Sequence, residues 1–419
     1  MTIPHNDLTS NRRNFLQAAS VAAILTRLVS PALANTPPKK GTHTMTITPF
    51  KINIPQTQID DLKLRLSMTR WPSTITDDWS RGQPVSFIKE LSNHWLKKYD
   101  WRKHEAQLNS HPQFMTEIDG QPIHFLHIKS PEPKAFPLIL THGWPSSVVE
   151  FLAISGPLSD PRKHGFDPAI AFDLVLPSLP GFGFSSPMTA PGWNTAHVAK
   201  AWDTLMKRLG YARYGAQGAD VGALVGKELG ILKPNGLIGT HLQQIFAFPK
   251  GTTGEMDKLS PFEKKGMDNL KGFEKFSGYM PIQKKRPATL AYGLVDSPVA
   301  VMAWNAELFF GFSGEAAKTF DRDLFLTHAS IYWFTATGGS AANIYFEDAQ
   351  SGSGYSENRN NTPTGVAVFP DDFVSVRSFA ERANNIVHWT EMPKGGHFAA
   401  HDAPELLVAD IRKFFATLI

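Results

Sequence analysis

An aspartate stands between two glycines in Gly218-Ala219-Asp220-Val221-Gly222, after a short strand pattern and ahead of a helical pattern over 223–232. That spacing is the G-x-Nu-x-G form of a nucleophile elbow, a sharp strand-to-helix turn that lifts one side chain clear of the sheet. The flanking glycines permit the turn and let the helix pack close. With Asp at the nucleophile position, attack needs no prior deprotonation and leaves an ester on the protein. The following helix N-terminus favours the negative charge. Taken alone, the segment reads equally as an Asp capping a helix in a glycine-rich turn.

Two other segments carry chemistry that would complete such a site. His142-Gly143-Trp144-Pro145 follows an apolar run, and a turn there can aim a backbone N–H at a developing oxyanion. The N–H groups of Trp144 and Val221 are the expected donors. Near the C-terminus, Asp372 follows an apolar run ending at Phe369, and His397 lies in Gly395-Gly396-His397-Phe398. Nucleophile, acid, histidine is the chain order of α/β-hydrolases. The histidine would activate water, and the acid would fix its tautomer and stabilise the imidazolium. Asp371 competes with Asp372 for the acid role on spacing alone. His401 could pair with His397 on a metal, but no third ligand pattern supports that.

These residues need elements to hold them. Phe136 to Thr141, Phe172 to Pro177, Gly365 to Phe369 and Ile386 to Trp389 are short apolar runs, and helical patterns separate them. Such alternation predicts an α/β fold with a parallel sheet and crossover helices, whose ligands sit at the carboxyl ends of the strands. An amphipathic helix is expected between Trp193 and Leu209, and a closing helix over 404–418 with Leu407, Ile411, Phe414 and Phe415 inward. In the N-terminal region, Ile59, Leu62 and Leu66 form one helical face that Trp71-Pro72 should stop. Ile88, Leu91 and Trp95 form another, with Ser86 as its N-cap. The strand–helix rhythm is lost from about 247 to 350, an aromatic-rich and loop-rich stretch that reads as an insertion between late strands. The expected layout is a signal over 1–34, a linker over 35–45, an N-terminal region over 46–130, an α/β-hydrolase core in two parts (131–246 and 351–419), and a mostly helical cap over 247–350 inserted between late strands.

The bulk numbers narrow the classes. Among 419 residues, 42% are hydrophobic and 19% charged, which suits a sizeable core and argues against a disordered chain. The net charge is +4, and half of that excess lies in residues 1–34, where Arg12, Arg13 and Arg27 face Asp7 alone. No basic run suggests nucleic acid. With no cysteine, disulfides and thiol catalysis are excluded. Asn11-Arg12-Arg13-Asn14-Phe15-Leu16-Gln17, an apolar stretch over 18–25 and Ala32-Leu33-Ala34 resemble a twin-arginine export signal with an A-x-A cleavage site, which predicts a periplasmic protein. No stretch is long and apolar enough to span a bilayer. Walker, G-x-G-x-x-G and H-E-x-x-H patterns are absent, so no nucleotide, flavin, metal or other cofactor is expected.

With these residues in place, the chain after residue 46 resembles the microsomal and juvenile-hormone branch of the epoxide hydrolases. Tyr99-Asp100-Trp101-Arg102-Lys103 and Phe114 to Gly120 are similar to that family's N-terminal segment. His142-Gly143-Trp144-Pro145, Gly395 to Ala400 and Pro404-Glu405-Leu406-Leu407 also match. The family's acid sits two residues after a proline, which in Phe369-Pro370-Asp371-Asp372 points to Asp372. The resemblance implies two cap tyrosines that hydrogen-bond the epoxide oxygen. Ser277-Gly278-Tyr279-Met280-Pro281-Ile282-Gln283 matches the first, and Ile344-Tyr345-Phe346-Glu347-Asp348 matches the second less closely. It further implies a small-molecule epoxide and water as the reactants. The chain departs from the family in having Val221 where many members carry a bulky aromatic, and an export signal where microsomal relatives carry a membrane anchor. A haloalkane dehalogenase would share Asp220, the acid and His397, but would want a side-chain halide donor that Val221 lacks. A non-catalytic binding protein on the same fold is disfavoured, because Asp220, Asp372 and His397 are all present.

Overall fold

The computed structural model describes residues 46–311 and 316–419. The expected export signal and linker lie outside the described residues. Among the described residues, nine strands form one sheet: β1 (Thr48–Phe50), β2 (Gln113–Ile118), β3 (Gln121–Ile128), β4 (Phe136–Thr141), β5 (Phe172–Pro177), β6 (Tyr214–Gly218), β7 (Leu237–Leu242), β8 (Asn360–Val368) and β9 (Asn384–Glu391). Their order is β1-β2-β3-β5-β4-β6-β7-β8-β9. The pairs from β1 to β5 are antiparallel, and those from β5 through β9 are parallel. The α/β-hydrolase arrangement expected from the sequence is therefore present, with β6 between β4 and β7.

Helices α1 (Gln56–Ser67), α2 (Val85–Lys97) and α3 (Trp101–Asn109) precede the sheet's main body. α4 (Leu152–Ser159), α5 (Thr195–Arg208) and α6 (Val221–Leu232) lie among the parallel strands. A cap follows, made of α7 (Pro261–Phe276), α8 (Tyr279–Lys285), α9 (Pro287–Asp296), α10 (Pro298–Phe309), α11 (Arg322–Phe334) and α12 (Asn343–Ser351). Short helices α13 (Arg377–Ala380) and α14 (Ala399–Asp402) and the closing α15 (Pro404–Phe415) complete the core. Two apolar layers sandwich the sheet. On one face, Trp202 and Leu205 of α5 and Val225 and Leu229 of α6 pack with Tyr214 and Ala216 of β6. On the other, Leu407, Ile411, Phe414 and Phe415 of α15 pack with Leu138 and Leu140 of β4. Truncating a buried Phe such as Phe414 to Ala would cost about 3–5 kcal/mol.

Several boundaries differ from the sequence reading. α1 ends at Ser67, before Trp71-Pro72, with the Met68 N–H bonded back to Leu64. Ser86 lies inside the first turn of α2 rather than capping it. Its N–H donates to Asp77 at 3.0 Å, so the capping acceptor comes from the preceding loop. The N-terminal region contains α3 and strands β1 to β3 besides its two expected helices. β3 escaped notice because residues 123–126 are all buried, leaving no in–out alternation. β7 escaped because the polar Thr240 and His241 are fully buried within it. The mostly helical cap expected over 247–350 is present, with six α-helices among the described residues, although its local pattern suggests many loops. α11 shows why: residues 325 to 332 are all buried, so no single apolar stripe marks it.

The decisive local feature is the turn from β6 into α6. Asp220 has φ 53° and ψ −122°, a left-handed backbone state that L residues resist. The turn is so tight that a Cβ on Gly222 would lie 1.9 Å from the Thr141 carbonyl oxygen, and one on Gly218 would lie 2.1 Å from the Gly222 oxygen. By contrast, a Cβ on Gly272, inside α7, would meet nothing within 4 Å. Gly222→Ala should thus destabilise the fold by about 3 kcal/mol or more, whereas Gly272→Ala should stabilise it by roughly 0.5–1 kcal/mol. Urea unfolding checks both; an unchanged midpoint for Gly222→Ala would mean that the turn is looser than described.

Candidate active site

The chemistry-bearing side chains converge above the carboxyl ends of β4, β6, β7 and β8. Asp220 sits at the head of α6. Its Oδ1 accepts the Trp144 backbone N–H at 2.9 Å, and the Val221 N–H also stabilises the carboxylate. This approach needs a glycine at 143, because a Cβ there would fall 2.4 Å from Asp220 Oδ1. Both expected oxyanion donors therefore serve the same carboxylate. Oδ2 points elsewhere, 3.8 Å from His397 Nε2. The other imidazole nitrogen, Nδ1, is 2.8 Å from Asp372 Oδ1. Asp371 is exposed and uses its backbone N–H on Gly395, which separates the two neighbouring carboxylates. His401 packs against the rings of Phe320 and His328. Among the described residues, no group of three or more potential ligands could hold a metal ion.

His142 and Pro145 complete the turn. Burial holds the His142 imidazole neutral, with its pKa lowered to about 4. Its Nδ1 lies 2.9 Å from the Gly143 carbonyl, and its Nε2 accepts the Leu179 N–H at 3.2 Å. The Ser146 N–H closes the turn around Pro145 by bonding Gly143 O at 3.1 Å. Helix α11 of the cap grips the same loop, for Tyr332 Oη donates to Ser146 O at 3.0 Å and His328 Nδ1 lies 2.9 Å from Ser147 Oγ.

The two cap tyrosines gather round Trp144. The Tyr279 ring stacks on the Trp144 ring at 4.8 Å, and Tyr345 meets Trp144 edge-on at 6.1 Å; the two phenol rings are 6.4 Å apart. Both are buried, at 3% and 7% exposure, and burial together with the nearby Asp220 charge raises both pKa values well above the ordinary phenol value. Each phenol is therefore protonated throughout the neutral range. A cavity of about 720 Å³ between α1 and α9–α10 reaches Trp304 but is lined by none of these groups. The site is thus defined by its convergent side chains and not by that void.

Three residues that the sequence reading missed hold the constellation together. Gln244, just after β7, accepts the Asp220 backbone N–H at 2.8 Å through Oε1 and donates to Asp372 Oδ2 through Nε2. Gln243 donates to the His397 carbonyl at 2.7 Å and to Asp372 Oδ2 at 3.3 Å. Glu150 is a third buried carboxyl beside His397 and Asp220. Burial lifts its pKa to about 7, against opposing pulls from Ser146 and His397. Its sequence signal was a lone carboxylate in the apolar run Val148 to Ile154. The glutamines had none, since β7 itself was not recognised.

Comparison with known proteins places this geometry. The family described as "Epoxide hydrolase N terminus" matches residues 47–151, and "alpha/beta hydrolase fold" matches residues 137–236. A Stigmatella aurantiaca protein provisionally named an epoxide hydrolase is 44% identical over 379 residues, 89% of this chain and 85% of the relative. Epoxide hydrolase 1 of Sus scrofa is 32% identical over 406 residues, 89% of each chain. The chain belongs to the epoxide hydrolase family. The solved epoxide hydrolase of Aspergillus niger superposes with a TM-score of 0.79 at 31% identity, covering 89% of this chain and 97% of that one. The enzyme hydrolyses an epoxide, and an aspartate nucleophile is typical of its family.

The electrostatics bear on how an epoxide hydrolase of this form holds its base. Burial pulls the His397 pKa down, but Asp372, Asp220 and Glu150 outweigh it and lift the value to about 9. The free enzyme thus holds an imidazolium until the pH passes that value. Removing the Asp220 charge removes one of the anions that sustain it. In Asp220→Asn, the His397 titration midpoint, followed by NMR, should fall by about one pH unit. A midpoint that stays put would show that Asp220 does not sense the imidazolium.

Proposed function

We propose that Asp220 Oδ2 attacks an epoxide carbon while Oδ1 stays with the Trp144 N–H. The ring C–O bond breaks, and the nascent alkoxide takes a proton from Tyr279 or Tyr345, leaving a tyrosinate and an ester on Asp220. Esterification neutralises Asp220, so the His397 imidazolium holds its proton less tightly, gives it up to solvent and becomes a competent base. His397 Nε2 then takes a proton from water as the water oxygen attacks the ester carbonyl. The N–H groups of Trp144 and Val221 receive the oxyanion. Collapse expels the second diol oxygen, which is protonated by the imidazolium. The proton remaining on the regenerated Asp220 carboxyl returns to the tyrosinate. The restored Asp220 charge draws a proton from solvent back onto His397, so epoxide and water give a vicinal diol with every protein group restored. Asp372 holds the imidazole tautomer through Nδ1 and stabilises the imidazolium.

The observation that carries this reading is the divided use of one carboxylate. Oδ1 already lies where an ester carbonyl oxygen would be stabilised, while Oδ2 is left facing His397. The double use of phenols gives a direct test. Tyr279→Phe and Tyr345→Phe should each slow ester formation by about tenfold, and the double variant should slow it far more, because one phenol partly covers for the other. Rapid-quench mass analysis of the Asp220 peptide measures this. A double variant that alkylates Asp220 at the parental rate would rule out the phenols as acids.

The same proposal extends to location. Arg12-Arg13 and Ala32-Leu33-Ala34 support export to the periplasm with removal of the signal. Mass analysis of native protein should then find a mature N-terminus near Asn35; a cytoplasmic pool beginning at Met1 would contradict it.

A further inference from the structure

The first N–H groups of a helix have no partners within it, and their satisfaction fixes what lies against that end. At the N-terminus of α5, part of the supply comes from the cap. The Thr195 N–H and Oγ both donate to Asp348 Oδ1 of α12, at 2.8 and 3.0 Å. The Ala196 N–H donates to Ser353 Oγ at 3.2 Å, and only the His197 N–H is satisfied locally, by Asn194 Oδ1 at 2.9 Å. Asp348 is 6% exposed and Thr195 fully buried, so the contact is sheltered from competing water.

The chain beyond α12 continues the attachment onto α6. The Gly354 N–H donates to Glu228 Oε1 at 2.8 Å, and Lys227 Nζ donates to the Gly354 and Ser356 carbonyls at 3.2 and 2.6 Å. α6 is the helix whose head carries Asp220. The stretch from Asp348 to Ser356 is thus fastened to two core helices. Asp348 stands three residues beyond Tyr345 on α12, so one helical turn separates the fastening from the phenol.

Asp348 is also a buried carboxyl that no catalytic step uses. Burial raises its pKa to about 7; the Thr195 donors and Lys284 of α8 pull it back, while Glu228 of α6 adds to the rise. A group so expensive to bury is explained when its two hydrogen bonds hold something in register.

We infer that Asp348 is a positioning residue for ring opening: by capping α5 from the cap domain it sets the placement of Tyr345 over Asp220. This rests on the reading of Tyr345 as a proton donor. It predicts an asymmetry between the two half-reactions, because the phenol serves ester formation and not ester hydrolysis. Misplacing a reacting group by a fraction of an ångström is enough to slow the step it serves.

The test measures both half-reactions in single turnovers with a reactive aromatic epoxide. Asp348→Ala should slow ester formation by about tenfold and leave ester hydrolysis within about twofold of the parent. Asp348→Asn keeps an acceptor oxygen in place and should recover most of the loss. In a Tyr345→Phe background, Asp348→Ala should add little further slowing. If Asp348→Ala does not fold, Thr195→Val, which removes only the hydroxyl donor, should give the same pattern in smaller measure. Equal slowing of both half-reactions, or full additivity with a slow Tyr345→Phe, would overturn the positioning role alone. A Tyr345→Phe variant that forms the ester at the parental rate would overturn the underlying reading of Tyr345, and the inference with it.

Discussion

The placement of Asp220 rests on a backbone state that the chain must be made to hold. With φ at 53° it costs about 1–3 kcal/mol relative to ordinary backbone, and three separate segments offset that cost. Gly222 lets α6 press against the Thr141 carbonyl, Gly143 lets the oxyanion turn close over the carboxylate, and Gln244 takes the Asp220 N–H. Loosen any one of these and Oδ1 leaves the Trp144 N–H, Oδ2 loses its aim, and His397 loses one of the charges that set its proton affinity. The catalytic geometry is therefore a property of the ends of β4, β6 and β7 acting together.

Core and cap divide the work. In the proposed mechanism the core supplies the nucleophile, the base and the oxyanion donors from strand ends, and the cap supplies the phenols, which suits a core built of rigid elements. The cap places Tyr279 and Tyr345 against Trp144. It also reaches back into the core, among other places through Tyr332 and His328 on the oxyanion loop and through Asp348 on α5. Three carboxyls, Asp220, Asp372 and Glu150, surround a single imidazole, an arrangement that favours an imidazolium in the resting enzyme and weakens it once Asp220 is esterified.

What could be read from the sequence was whatever is local. Asp220 between its glycines, the His142-Gly143-Trp144-Pro145 turn and His397 after two glycines each carry their meaning within five residues, and the tyrosine segments were legible through family resemblance. Strands β4 and β5 matched their apolar runs end to end. The supporting groups were not legible, because their partners are far along the chain. Gln244 meets Asp372 across 128 residues, and Asp348 meets Thr195 across 153. Asp371 and Asp372 are equal on spacing from the strand, family resemblance favours Asp372, and it is Asp372 whose Oδ1 lies 2.8 Å from His397 Nδ1. Burial on all sides erased periodicity in β3 and α11, the two places where pattern reading failed most plainly.

Catalysis turns on a covalent ester at Asp220, and the position of one oxygen atom decides whether it forms. In a single turnover with excess enzyme in heavy-oxygen water, water attacks the ester carbonyl. The label should therefore appear first in the Asp220 carboxylate, on the peptide that contains it, with the first diol carrying none. Label found directly in that first diol, with an unlabelled Asp220, would mean that water opened the epoxide itself, and Asp220 would have to be recast as a general base.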